Sequence, residues 1–290
     1  MSSFTGTRAG DGDSPDLVCQ LDCVQGMVDA LSSVRWKRHQ DAVVEISEHG
    51  LVLIVEESGC LQARVYLKRE LFLAYEYAAE GRPRFGVSLG LFVDCLNIFS
   101  TPGHSPAIEI RYPGPDMQLL LKLVDTPDTC IYAEIRTRIP DTISWDYNFE
   151  PIGSVPVSFT VKSSVLKEAV DDLEWPCSSI QISLQPDPPA VTFRGEGHGD
   201  LQCDHSVSNR YKYKFLQAAT SNIPFSVLKD NRGSKVTVGR GGMLKIQHLV
   251  SVRRSSAQHS RGDQHPSHIA YIEFFVKPEE EEEECPVGDN

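Results

Sequence analysis

The sequence predicts an α+β protein made of two copies of one mixed unit, in which short strands dominate and each helix directly follows a strand. Three observations carry this reading. Leu17, Cys19 and Leu21 alternate against Val18 and Gln20, and directly behind them Val24, Met27, Val28 and Leu31 recur at i, i+3, i+4 and i+7. That is a strand followed by a helix with one apolar face. The order restarts at residues 157–161, a second alternating strand, after which Leu166, Ala169, Val170 and Leu173 repeat the helical spacing at an offset of 142. The last strands match as well, since IYAEIRT from Ile131 and IAYIEFF from Ile269 are offset by 138. Self-similarity on this scale marks a duplicated supersecondary unit.

The remaining elements follow in order. Residues 42–47 and 51–56 alternate around a turn at Glu48, His49 and Gly50, and residues 60–67 continue the meander. Residues 84–88 lead into VSLGLFVDCLNIFS, where Leu89, Phe92, Val93 and Leu96 restore the helical period. Strands at 107–112, 117–124 and 130–138 complete the first copy, with a Pro-Gly-Pro turn after the first of them. The second copy is expected to hold strands at 179–184, 190–194, 201–206 and 211–215 and a short helix near 216–221. Strands at 224–229, 234–238, 244–251 and 269–277 then end it. The resulting division is a polar, disordered arm (1–16), a first unit (17–139), a connector (140–156), a second unit (157–278) and an acidic tail (279–290).

Bulk properties narrow the function. The chain has 290 residues, 40% hydrophobic and 23% charged, with no apolar run of 18 residues to span a bilayer. A soluble globular protein with no membrane partner is expected. The polar start, MSSFTGTRAGDGDSPD, lacks the apolar core of a secretory signal. Eight cysteines (Cys19, Cys23, Cys60, Cys95, Cys130, Cys177, Cys203 and Cys285) are scattered without a C-x-x-C pair, which suits free thiols in a reducing compartment. A formal charge of -12 argues against a general nucleic-acid coat protein, which needs excess Lys and Arg to neutralise phosphates. Six consecutive glutamates, Glu279 to Glu284, hold much of that excess in a solvated tail.

The sequence offers no motif for catalysis. VGRGGMLK leads into a strand pattern, LKIQHLV, so its glycines supply a hairpin turn and not a helix-borne phosphate loop. KDNRG is turn chemistry of the same sort. His198, Asp200, Cys203, Asp204 and His205 crowd one segment, but alternate strand residues point to opposite faces, so a solvated loop and an edge strand are preferred to a metal site. Paired carboxylates occur at Glu56–Glu57 and Asp171–Asp172, but no D-x-E-like set sits at strand ends with a Lys or His partner, as a two-metal nuclease centre would need. No catalytic residue, metal or cofactor is expected. The remaining candidates are basic residues beside the helices, namely Arg35, Lys37, Arg38, Lys162, Lys167, Lys212 and Lys214. With the two copies side by side they would share a surface suited to nucleic acid, or else form ordinary solvated helix faces. The connector carries Ile143, Trp145, Tyr147 and Phe149, more apolar than a free linker, and is expected to pack on the body and frame a groove.

Two strand–helix–sheet copies joined by a strap, with an acidic tail, resemble the sliding-clamp fold of the proliferating cell nuclear antigen. More narrowly, FVDCLNIFS, SNRYKYKFL from Ser208, and KDNRG followed by MLKIQHLV resemble the Rad-one family of the heterotrimeric checkpoint clamp, over about residues 17–278. The resemblance implies a non-catalytic, nuclear clamp subunit. It would join two paralogous subunits, of the Rad-nine and Hus-one types, in a ring around duplex or primer-template DNA. A separate clamp loader would place the ring, which recruits checkpoint and repair proteins. Helices would line the inside and antiparallel sheets the outside. Ring closure by edge pairing assigns Cys130, Ile131, Tyr132, Ala133, Glu134 and Ile135 to one interface and Leu201, Gln202, Cys203, Asp204 and His205 to the other. Trp145, Tyr147 and Phe149 would frame a groove for partner motifs. The alternatives are a metal-dependent 3'-5' DNA exonuclease and a homotrimeric replication clamp. Unlike the clamp pattern, the helices here are poor in Lys and Arg and bear Asp29, Asp94, Asp171 and Asp172.

Overall fold

The computed structural model of the chain describes residues 15–22, 24–100, 107–124, 131–140, 146–152, 157–173, 179–195, 207–224, 227–228, 233–252 and 269–279. Its first half runs β1 (Leu17–Leu21), α1 (Val24–Ser32), β2 (Asp41–Ser47), β3 (Gly50–Glu57), β4 (Leu61–Lys68), β5 (Ala74–Tyr77), β6 (Arg84–Ser88), α2 (Leu89–Phe99), β7 (Ile108–Tyr112), β8 (Leu119–Leu123) and β9 (Tyr132–Ile135). Its second half runs β10 (Val157–Lys162), α3 (Ser163–Asp171), β11 (Ser179–Pro186), β12 (Pro189–Gly195), β13 (Val207–Lys212), α4 (Tyr213–Thr220), β14 (Gly233–Val238), β15 (Leu244–Ser251) and β16 (Ile269–Val276). Each helix begins one to three residues after a strand, as the repeated spacing predicts.

The strands among the described residues form three antiparallel sheets, ordered β5-β1-β7-β8-β9, β10-β14-β15-β16-β4-β3-β2-β6, and β12-β11-β13. The eight-stranded sheet crosses the middle of the molecule, because β16 of the second half pairs with β4 of the first from Tyr271↔Tyr66 to Val276↔Leu61. Strict alternation fixes that seam: Leu61, Ala63, Val65, Ile272, Phe274 and Val276 are all buried on the inner face. A one-residue slip would turn this whole set to solvent, so the register is strongly specified.

Helices lie on the inner side of the sheets, α1 packed beside α2 and α3 beside α4. Their apolar stripes, Val24, Met27, Val28 and Leu31 on α1 and Leu166 and Val170 on α3, join one core with the strands. Contacts among the described residues tie the halves together on this side. A Cβ on Gly26 of α1 would come within 2.6 Å of the Val252 backbone, so only glycine permits that approach. The Asn222 amide, just after α4, donates to the Arg35 carbonyl just after α1, at 2.8 Å.

A buried polar relay pins the second-half helices to the sheet. The Ala219 carbonyl near the end of α4 can only accept, so His248 Nε2 donates to it at 2.9 Å. Nδ1 of the neutral ring therefore accepts from Ser234 Oγ at 2.8 Å. Ser234 in turn lies 2.7 Å from Ser163, the first residue of α3, which leaves Ser163 as donor. Burial pulls the His248 pKa down to about 4.

Four local readings are corrected. Tyr213, Lys214 and Phe215 belong to α4 and not to a strand, because Phe215, Leu216, Ala218 and Ala219 are the residues buried, which is a helical and not an alternating set. Val227 and Leu228 form a helical turn closed by Val227 N–H to Pro224 O, where a strand was expected over 224–229. β5, preceded by a 3-10 turn at Arg69–Leu71, has no counterpart in the sequence reading. The strand expected over 130–138 narrows to Tyr132–Ile135, and the chain then moves to a two-way bridge between Arg138 and Gly86 of β6. The glycine-rich hairpin behaves as read, with Gly241 and Gly242 at φ 67 and 77 between β14 and β15.

Candidate interaction surfaces

The seven basic candidates separate by pairing. Arg35 meets Asp94 of α2 at 3.1 Å. Lys37 donates to Glu57 at 2.6 Å. Lys167 pairs with Asp171 one turn along α3. These charges are answered within the chain. Arg38, Lys162, Lys212 and Lys214 are exposed, with no carboxylate within ion-pair distance among the described residues. Lys214 lies over the Phe215 ring. Strand alternation puts Lys162 and Lys212 on the sheet faces opposite the half-buried Val161 and the buried Tyr211, so they project from the strand–helix corners and not from the helices. The exposed helix positions also include Leu91, Ile98 and Val165, so this face combines few free cations with scattered apolar groups.

The connector lies on the outer face of the seam. Its residues 146–149 cross β15 and β16 and, with Arg64, Lys245 and Phe275, line an open groove of about 550 Å³. The Phe149 and Phe275 rings are 6.3 Å apart and tilted by 55°. Each aromatic ring carries a cation: Arg64 over Phe275, Lys245 over Phe149 and Lys277 over Tyr147. Tyr147 is buried, and burial together with the Glu56 charge pushes its hydroxyl pKa well up, so it stays protonated. Pro151 bridges Gly239, where a Cβ would fall 2.7 Å from the Phe149 ring; that glycine lets the strap sit flat. Arg240 N–H donates to the Glu150 carbonyl at 2.7 Å, fixing its end. Trp145, the third aromatic expected here, lies outside the described residues. The floor residues Arg64, Lys245, Phe275 and Lys277 went unread in the sequence, because their convergence depends on strands β4 and β16 meeting across some 200 residues.

The first proposed edge is an edge. β9 pairs only with β8 among the described residues. Ile135 is fully buried and Ala133 half-buried, while Tyr132 is 61% and Ile131 44% exposed and Glu134 is exposed. Ile139, just beyond, is 91% exposed. An unpaired strand flanked by exposed apolar side chains is a template for another strand. Cys130 and the second edge, Leu201, Gln202, Cys203, Asp204 and His205, lie outside the described residues. Among the described residues no three His, Cys, Asp or Glu side chains could together hold a metal ion, and no helix is long and apolar enough to cross a membrane.

Comparison with known proteins places this geometry. The chain is similar to the mouse cell cycle checkpoint protein RAD1, 26% identical over 288 residues that cover 91% of this chain and 93% of the mouse protein. It is 25% identical to the human RAD1 protein over 304 residues, covering 97% and 98% of the two chains. The crystal structure of PCNA from Thermococcus kodakaraensis superposes with a TM-score of 0.61 at 14% identity, over 91% of this chain and all of that one, which shows the sliding-clamp fold. The family model described as Repair protein Rad1/Rec1/Rad17 matches residues 16–229. The chain therefore belongs to the Rad1 family of checkpoint clamp proteins.

Proposed function

We propose that the chain is a non-catalytic subunit of a nuclear, heterotrimeric DNA clamp, which encircles DNA and recruits damage-signalling and repair proteins. Its ring partners would be two paralogous subunits of the Rad-nine and Hus-one types, assembled on duplex or primer-template DNA by a separate loader. The observation that carries the reading is the pairing of an open edge with an internal precedent. Inside the chain, the last strand of the second half, β16, zips onto β4 of the first. The last strand of the first half, β9, is left open with Tyr132 and Ile131 exposed. The same junction repeated between chains would propagate the sheet around a ring. Main-chain pairing supplies affinity, and the flanking apolar residues choose the partner.

The connector groove supports the recruiting role, since it offers aromatic walls and cationic rims to a short peptide. The helical side supports a topological hold on DNA, because three of its five candidate cations, Arg35, Lys37 and Lys167, are already paired to carboxylates in the chain. The test is co-expression with the two paralogues followed by native mass measurement. A 1:1:1 complex that threads circular DNA only with loader and ATP is the expected result. Assembly of this chain into a trimer by itself, or failure to bind either paralogue, would overturn the proposal.

A further inference from the structure

The three-stranded sheet β12-β11-β13 has an outer face of unusual chemistry. Its register aligns Arg194, Gln181 and Arg210 in one row across the three strands, and Ser179 with Lys212 in another. The remaining outward ladder positions carry hydroxyl or amide groups, or Ala190, and none carries a carboxylate. In a chain of net charge -12, ladder positions that among the described residues carry no acidic side chain, with Arg194 and Lys212 exposed on them, make this face a cationic exception. Polyanions are the class it fits.

The end of the described chain is already on this face. After β16 the Glu279 N–H donates to the Arg210 carbonyl at 2.8 Å, and the Glu279 carboxylate accepts from the Ser179 hydroxyl, which is buried. The first half shows the same arrangement: after β9 the chain bridges from Arg138 to Gly86 of β6, and the segment beyond that bridge becomes the connector, lying across the outer face of a sheet. Gly86 and Arg210 both lie two residues before the residue that precedes their helices, α2 and α4. The acidic tail thus leaves the second half from the position at which the connector leaves the first.

We propose that the glutamate run continuing from Glu279 docks in cis on the outer face of β12-β11-β13, as the second-half counterpart of the connector. Length allows it: residues 280–290 reach about 36 Å when extended, against about 10 Å across three strands. Charge favours it, since five further glutamates follow Glu279 while the exposed Arg194 and Lys212 lie on that face. Tethering makes the contact intramolecular, so individually weak surface pairs suffice. Docked there, the tail screens the outer cationic face from DNA and leaves the ring interior as the route for polyanions.

The test uses the isolated full-length chain, so its outcome is independent of ring assembly. A carbodiimide joins carboxylates to adjacent lysine amines without a spacer, and peptide mass spectrometry maps the bonds. At low salt, bonds from Glu280 to Glu284 should fall on Lys212, and additionally on position 194 in an Arg194→Lys variant. The yield should drop at least fivefold in high salt. In an Arg194→Ser/Arg210→Ser variant the Lys212 bonds should fall at least threefold; if they persist, the tether alone explains them and the proposal fails. Bonds to Lys245 or Lys277 would instead put the tail in the connector groove. Equal yields at exposed lysines such as Lys122 and Lys235 would mean that it has no docking face. Either result overturns the proposal.

Discussion

His248 is a buried imidazole whose two nitrogens are both committed, one to Ser234 and one to the Ala219 carbonyl. Adding a proton would turn Nδ1 from acceptor into donor against a hydroxyl that is already donating to it, within a site buried away from bulk solvent. The folded pKa of about 4 lies below the ordinary value of 6.5, so the unfolded chain takes up the proton first. The stability involved is therefore fully present above pH 6.5 and is lost as the pH falls toward 4. The loss is about 3 kcal/mol by linkage over that window. Urea unfolding from pH 7.5 to 4 should show this slope, and a His248→Phe variant should lack it while being less stable at pH 7.5 by about 1 to 3 kcal/mol, from the stranded Ser234 and Ala219 groups. Gly26 gives a second test at this scale. Alanine there should gain about 1 kcal/mol in helix propensity, yet its Cβ would meet the Val252 backbone at 2.6 Å. Overpacking of that kind costs about 1 to 3 kcal/mol, so thermal melting of Gly26→Ala should show a net loss of stability.

The connector and β9 are the elements on which binding turns, and each has a substitution that separates function from folding. Gly239→Val would drive a side chain into the Phe149 ring and lift the strap from the groove floor. Chymotrypsin cleavage at Tyr147 and Phe149 should then accelerate about tenfold while the global unfolding midpoint stays nearly unchanged, because local opening and global unfolding are distinct events. Tyr132→Asp places a charge on the open edge where the side chain is 61% exposed. The monomer should lose less than about 0.5 kcal/mol, whereas binding of the paralogue at that edge should weaken at least tenfold, readable by calorimetry. How far such elements could be read from sequence depends on the range of the signal. The period of Val24, Met27, Val28 and Leu31, the turn at Glu48 to Gly50 and the glycine hairpin at Gly241 are local, and each was legible. The alternation of Tyr211, Tyr213 and Phe215 imitated a strand because local pattern cannot tell which residues tertiary packing will bury. The groove was half legible: Tyr147 and Phe149 stood out as aromatics in a linker, but Arg64, Lys245, Phe275 and Lys277 became neighbours only through long-range pairing.

At the scale of the whole molecule, one sheet crosses both halves while the helical side stays close to neutral, and these two facts together bear on how DNA would be held. Arg35, Lys37 and Lys167 are paired with Asp94, Glu57 and Asp171. A phosphate could recruit them only by displacing a carboxylate, so this chain releases few counterions on meeting DNA. Weak binding of the isolated chain to a linear duplex follows, and the salt slope should correspond to about three contacts or fewer, since each neutralised phosphate contributes about 0.9 to the slope. The assembled ring should behave differently. Its hold would rest on strand seams such as β16–β4, whose inner rows are apolar and therefore not weakened by salt. Complexes loaded on a circular plasmid should accordingly survive a wash in about 0.5 M salt, where the Debye length is only some 4 to 5 Å and phosphate contacts are screened. They should then be released when a restriction enzyme linearises the plasmid. Retention on linear DNA at that salt concentration would contradict the topological mechanism. Loss from the intact circle would mean instead that the seams open under conditions in which an apolar ladder should stay closed.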